Sequence, residues 1–360
     1  MKLPARLLSR QGDTNAQQAQ ARRCGNPVPR PALPCMMTPT DLVYYPDDRP
    51  GITRRRRGRG WSYTAPDGTH IDDKGERARI DALAVPPAYS DVWICPEPLG
   101  HLQATGRDAR TRKQYRYHPD WTDFRARAKY DDLPAFGAAL PALRRRILRD
   151  LREREPGERQ FAIAALLALL DRAALRVGSP DYARRNKTFG ASTLRPKHFS
   201  LDGGEIRLSY TGKGGARIRS RLRDRTLNRV LGALDDLAGP TLISWTDDAG
   251  EGHAVTAGEV NALLAEMTGQ SGITAKTFRT WNGSVAALEA ALSSDGPTIK
   301  ALSEAASERL HNTPTIARKS YIHPDVVALT DAPDDRAALA DAPEIRGLRR
   351  AEAQLCALLA

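Results

Sequence analysis

Through the second half of the chain, apolar residues return every three or four positions. Leu140 to Leu151, Phe161 to Leu175, Thr226 to Leu237, Ala257 to Met267, Val285 to Leu292 and Thr298 to Leu310 all keep that spacing. It lines apolar side chains along one face of an α-helix. The most apolar of these runs is "FAIAALLALLDRAALRVG", where Arg176 closes the predicted helix and Gly178 offers a C-cap. Thr313 as N-cap and Pro314 as first helical residue predict a short helix to about Tyr321, stopped by Pro324. One stretch breaks the helical period. "EIRLSYTGKGGARIRSRL" alternates on both sides of Gly212-Lys213-Gly214-Gly215 and predicts a β-hairpin with Lys213 at its tip.

Before about Asp120 the period falls to two. "GWSYTAPDGTHI" alternates aromatic and polar residues and closes on Asp67-Gly68, a hairpin signal. "WICPEPLGHLQATGRDARTRKQYRYH" gives apolar alternation, a Gly-Arg-Asp turn and a strand with Tyr115 and Tyr117 on one face. The expected fold class is therefore α+β. A small, mostly-β N-terminal domain covers 39–122, and a larger, mostly-α domain containing the hairpin covers 123–330. Residues 331–360, rich in Ala and Asp, read as a C-terminal tail or single helix. Residues 1–38 lack periodicity and are set outside the fold, as a disordered tail, a start assigned upstream of Met36 or Met37, or a transit peptide.

Charge narrows the range of partners. Lys and Arg total 55 against 43 Asp and Glu, a net +12 over 360 residues. Such an excess favours a polyanion, with nucleic acid first and an acidic membrane surface second. No run approaches a membrane-spanning length, so no membrane partner is expected. Cys24, Cys35, Cys95 and Cys356 show no CxxC spacing and no neighbouring His pairs, which argues against disulfides and zinc and for a reducing, cytoplasmic setting. "TGKGG" lacks the Ser or Thr after Lys and the upstream Gly of a phosphate loop, so no nucleotide cofactor is expected.

The chemistry-bearing residues each have an ordinary reading. Lys213 is a turn lysine or a mobile ammonium aimed at an oxygen anion. Arg176 is a helix-terminal arginine that favours the dipole, or a buried cation interrupting an apolar stripe. Arg279, in "AKTFRTWNG", is a surface cation–π partner or a rigid fork for phosphate. Tyr321 is an amphipathic packing residue or a nucleophile. The run Arg54–Arg57 reads as a solvated basic patch.

Taken together, Arg176, Lys213, Arg279, Asn312 and Tyr321 form an ordered set. Through them the chain resembles the type IB DNA topoisomerases of the bacterial and poxvirus branch, over about Pro39 to Pro324. "LRVGSPDYARRNKTFGASTLRPKH" resembles the family's first-arginine block, with the Tyr182 and Asn186 positions kept. "YTGKGG" resembles its lysine hairpin, "KTFRTW" its second-arginine block and "HNTPTIARKSYIHP" its tyrosine block. "GRDARTRKQYRYH" resembles the strand that contacts DNA. A tyrosine recombinase would share much of this set. It usually carries His where Lys276 stands, and it lacks the β-type N-terminal domain. A catalytically silent relative would be free to lose one of the five, and no carboxylate cluster suggests a metal-dependent nuclease.

The resemblance implies a DNA topoisomerase that relaxes supercoils by transient single-strand cleavage, without ATP, metal or other cofactor. Tyr321 would be the nucleophile, Arg176 and Arg279 the clamp on the phosphoryl oxygens, and Lys213 the general acid. Asn312 stands where relatives carry His; its amide can donate a hydrogen bond but cannot shuttle a proton. His311, His323 and Ser320 are read as bystanders. Gln114, Tyr115, Tyr117, Tyr182 and Lys276 would contact DNA. A cytoplasmic, nucleoid-associated monomer closing as a clamp on duplex DNA is expected. Nine residues of straight helix would part Asn312 from Tyr321 by roughly 13 Å. The expectation is that this segment bends or shifts, with Tyr321 displaced from the arginines until DNA docks it.

Overall fold

The computed structural model describes residues 41–360 except Ala238 and Ser294. The readings for 1–38, and for Cys24 and Cys35, lie outside the described residues. The period-two region forms an antiparallel sheet in the order β2-β1-β3-β4-β5. Its strands are β1 (Ile52–Arg57), β2 (Gly60–Thr64), β3 (Ser90–Ile94), β4 (Leu102–Arg107) and β5 (Lys113–Tyr117). Helix α1 (Lys74–Ala82) contributes Ile80 to a small core with Ile52, Tyr63, Ile94 and Ala104.

Two local expectations change here. The turn at Asp67-Gly68 closes only a single bridge between Thr64 and His70, because β2 takes β1 as its ladder partner. The arginine run is therefore a strand, and alternation divides it between two faces. Arg54 lies 4.1 Å from the Trp61 ring and donates to the carbonyls of Val85, Pro86 and Tyr89. It ties loop to sheet, while Arg55, Arg56 and Arg57 stay exposed.

Helix α2 (Pro119–Asp131) runs across the expected boundary at 122/123. Beyond it come α3 (Leu133–Glu153), α4 (Arg159–Ala173) and α5 (Pro180–Asn186). The hairpin is present as β7 (Glu205–Thr211) and β8 (Arg217–Arg223), with β6 (Phe199–Asp202) completing a sheet in the order β6-β7-β8. Helix α6 (Arg225–Asp235), the small pair β9 (Ser244–Thr246) and β10 (Gly252–Ala254), and α7 (Ala257–Thr268) follow. The chain then forms α8 (Thr277–Leu292), α9 (Ile299–Leu310), α10 (Pro314–Tyr321) and α11 (Pro324–Ala328).

Every expected helix is present, and α8 is longer than its periodicity suggests. Phe278 through Val285 are all buried, so no polar face marks the first two turns of this helix. Phe136 meets Phe278 and Trp281 edge-on at 5.0 and 5.6 Å. These rings belong to the second, larger core. No helix among the described residues is long and apolar enough to cross a membrane.

The C-terminal segment, expected as a tail or one helix, forms α12 (Pro333–Ala340) and α13 (Arg350–Leu358). It is part of the core. Glu352 is fully buried on α13 and takes bonds from Arg144 (2.8 Å) and Arg349 (2.7 Å). Arg144 also bonds Asp171 through two 2.9 Å contacts, so one guanidinium fastens α3, α4 and α13 together. Burial opposes charge on Glu352, but Arg144 and Arg349 outweigh it and hold the carboxyl far below the usual carboxylate range.

Removing one partner from such a network strands the others. Glu352→Ala should cost about 3–5 kcal/mol, read by denaturant unfolding. Because the folded-state pKa is depressed, the contribution of Glu352 is complete above about pH 4.3 and is lost as pH falls towards its folded value. The variant should therefore lose less stability than the parent over that acid range. An unchanged unfolding midpoint would contradict this account.

Candidate active site

Arg279, in the first turn of α8, is 3% exposed. Two helix ends make that burial tolerable. Helix α4 stops at Ala173, two residues earlier than its apolar run suggests, because Ala174 turns left-handed at φ 51°. The Ala174 carbonyl accepts from the Arg279 Nη1 group, and the Leu310 carbonyl at the end of α9 accepts from Nη2 at 2.9 Å. Both acceptors stand at the negative ends of helix dipoles. Nε has no partner among the described residues. The guanidinium carbon lies 5.0 Å from the centre of the Tyr321 ring.

Arg176 therefore does not close α4; it follows the cap, in the loop leading to α5. That loop is pinned where its backbone crosses Gly190. The Arg176 carbonyl accepts from the Ala191 N–H at 2.8 Å, and a Cβ on Gly190 would fall 2.5 Å from the same oxygen. Gly178 meets the turn with φ 101°, a left-handed backbone that favours glycine. The charge of Arg176 acts on Arg279, Tyr210, His311 and Tyr321.

Tyr321 ends α10 and is partly buried. Burial alone would raise the phenol pKa. Arg279, by charge and hydrogen bonding, with Arg176 and Lys276, outweighs that and sets it below the usual tyrosine value. The neighbouring Tyr210 on β7 goes the other way, pushed up to about 12 by burial despite the two arginines. Both phenols feel the two arginines, but only for Tyr321 do the cations outweigh burial.

Tyr321 thus already lies against Arg279, which overturns the expectation of a tyrosine displaced from the arginines. The straight-helix estimate fails because Asn312 is not in α10. His311 turns the chain left-handed at φ 49°, Asn312 donates its N–H back to Ser307 at 3.1 Å, and Thr313 starts the new helix. Both polar atoms of the Asn312 side chain are buried with no partner among the described residues. His311, read as a bystander, is close enough for Arg279, Arg309 and Arg176 to reinforce the effect of burial in lowering its pKa.

Lys213 belongs to the turn between β7 and β8. It is exposed at the hairpin tip, where Gly214 and Gly215 hold φ of 76° and 81°. Tyr115 and Tyr117 are exposed on β5 with rings stacked 6.0 Å apart, and the Lys113 ammonium sits 5.5 Å from the Tyr115 ring. Gln114 takes the opposite face of that strand and donates to Asp108 at 2.9 Å. Tyr182 is exposed on α5, and Lys276 is exposed at the N-terminal end of α8.

Sequence reasoning did not single out Gly283 and Ser284, the contact between α8 and α10. Ser284 Oγ donates to the Tyr321 carbonyl at 3.2 Å and accepts from the His323 N–H at 3.0 Å. A Cβ on Gly283 would fall 2.8 Å from the Tyr321 carbonyl oxygen. The only sequence signal was an isolated Gly within "TWNGS", inside a helical stretch.

Comparison with known proteins identifies the family. The family model of the bacterial DNA topoisomerase IB N-terminal domain matches residues 60–108. That of the eukaryotic DNA topoisomerase I catalytic core matches residues 118–313, a span holding Arg176, Lys213, Arg279 and Asn312. Fold and matches together define a DNA topoisomerase. More narrowly, the chain belongs to the type IB DNA topoisomerases, a family of isomerases. DNA topoisomerase 1B of Acanthamoeba polyphaga mimivirus is 29% identical over 288 residues, covering 76% of this chain and 85% of the viral one.

The close approach at Gly283 gives a test. Gly283→Ala should push α10 off α8 and slow topoisomerase turnover by about 10- to 100-fold while leaving DNA affinity intact. Turnover at the parental rate would mean that the approach does not set the position of Tyr321.

Proposed function

We propose that this enzyme relaxes supercoiled duplex DNA by nicking and resealing one strand through a covalent bond to Tyr321, without ATP or metal. The observation that carries this reading is the Tyr321 phenol held against Arg279, with Arg176 in electrostatic reach and the phenol pKa lowered. Tyr321 gives up its phenol proton to solvent as its Oη attacks the phosphorus of a phosphodiester. The Oη–P bond forms, the P–O5′ bond breaks, and a 3′-phosphotyrosyl link remains. The departing O5′ takes a proton from Lys213. Strand rotation follows, and the freed 5′-hydroxyl reverses the step. The ester to tyrosine retains the energy of the bond it replaced, so no nucleotide is consumed.

The division of labour follows from donor chemistry. Arg176 and Arg279 offer paired N–H donors to the non-bridging oxygens as charge builds there. Arg279 has two of its five N–H donors committed to carbonyls, which leaves its Nε–H and one N–H on each Nη. The amide of Asn312, without a partner among the described residues, adds a neutral hydrogen bond to the same group. Lys213 reaches the leaving oxygen by movement of its hairpin onto DNA. The N-terminal domain, 39–122, and the catalytic domain, 123–330, close on the duplex as a monomeric clamp. Tyr115, Tyr117, Tyr182 and Lys276 meet the DNA, with Gln114 on the far face of its strand. A cytoplasmic, nucleoid-associated enzyme is consistent with this substrate.

Plasmid relaxation in EDTA without ATP tests the reading. The parent protein should relax the plasmid, and Tyr321→Phe should not. Failure of the parent, or relaxation by the variant, would sink it. Lys213→Ala should slow cleavage by about 10²–10⁴-fold, the usual value of a general acid. That loss should largely disappear on a substrate whose 5′ leaving atom is sulfur, which departs without a proton.

A further inference from the structure

A groove of about 1010 Å³ separates α2 from α9 and α10, and Lys129 lies within it. The ammonium of Lys129 donates to the Lys319 carbonyl at 2.8 Å, a contact spanning 190 residues of chain. It also sits 4.5 Å from the Tyr130 ring. Lys319 is in the last turn of α10, two residues before Tyr321. Its carbonyl would bond the N–H four residues on, from His323, if the helix continued. That N–H instead goes to Ser284 Oγ. The Lys319 oxygen is thus one of the orphan carbonyls of a helix C-terminus, and a lysine from another helix caps it.

We propose that Lys129 is a positioning residue for DNA cleavage: by capping α10 it fixes the helix end that carries Tyr321. The proposal rests on the reading of Tyr321 as nucleophile. Two contacts then hold that helix end, Ser284 from α8 and Lys129 from α2. Because α2 continues directly from β5, the second contact joins the strand bearing Tyr115 and Tyr117 to the nucleophile.

The surroundings of Lys129 are rich in like charge. Lys276 approaches from the start of α8. Asp123 and Arg127 on α2, Lys300 on α9, and Arg318 and Lys319 on α10 line the same groove. His323 packs edge-on against Tyr130 at 5.1 Å. Burial, then Lys276, brings the Lys129 pKa down to about 8. The charged cap is present below that pH and discharges above it.

The test is single-turnover cleavage of a short duplex by the full chain, measured from pH 6.5 to 9.5, with Kd measured in parallel. Lys129→Met should cleave about tenfold slower at pH 7 with Kd unchanged, and Lys129→Arg should restore most of the rate. The gap between parent and Lys129→Met should narrow as pH passes about 8. Parental cleavage by Lys129→Met overturns the proposal. So does a loss of affinity equal to the loss of rate, which would make Lys129 a DNA contact. If Lys129→Met melts early, Lys129→Gln replaces it, keeping a donor without charge, and a pH-independent gap to the parent counts against the cap. Tyr321→Phe run alongside separates the two readings. Cleavage in that variant removes Tyr321 as nucleophile, whereas parental cleavage by Lys129→Met removes only the role of Lys129.

Discussion

A cation buried to 3% exposure must be compensated, and Arg279 is compensated by the ends of two helices. Its guanidinium spends Nη1 on Ala174 and Nη2 on Leu310, the terminal carbonyls of α4 and α9. An isolated charge in that position would cost several kcal/mol. Much of the local architecture is arranged around this pair of contacts. Helix α4 has to stop at Ala173, the loop after it carries Arg176 to the same place, and the turn after α9 begins the segment that returns with Tyr321.

Helix α8 is the frame on which those pieces are mounted. It presents Arg279 at its start, Trp281 to the core, and Gly283 and Ser284 to α10. Asn282 on the same helix accepts from Arg309 at 2.7 Å, and the fully buried Glu352 sits against Trp281. The C-terminal helix thereby supports the arginine from behind, although it contributes no group to the site. Rigid mounting suits an enzyme whose donors must meet a phosphate at fixed positions.

How much of this was legible in the sequence depended on where burial was one-sided. Helices with a polar face, such as α6 and α9, could be read from spacing, as could the β7–β8 hairpin with its glycine tip. The first half of α8 could not, because burial on all sides erases the period. The end of α4 was misplaced for a related reason: its apolar run continues through Leu175, and only the left-handed Ala174 stops it. Arg54 looked like one of four equivalent arginines until strand alternation and Trp61 set it apart. The five ordered residues were found by their resemblance to a known family, and spacing alone would not have grouped them. Of these five, Arg176, Arg279 and Tyr321 are together in the structure. Asn312 lies two residues beyond Leu310, its amide without a partner among the described residues, and Lys213 is at the exposed hairpin tip. The packing at Gly283 left only an isolated glycine in a helical stretch, because a close approach between two helices sets up no periodic pattern.

The central claim is that Arg279 and Arg176 favour the phenolate of Tyr321 over burial. The direct measurement is the pKa of Tyr321 by NMR of tyrosine labelled with carbon-13 at Cζ, in the parent chain and in Arg279→Gln. The account predicts a parental value below the ordinary one of about 10, rising in the variant as burial loses the largest of the groups that oppose it. A Tyr321 pKa above the ordinary value in the parent, or one unmoved by losing Arg279, would contradict it.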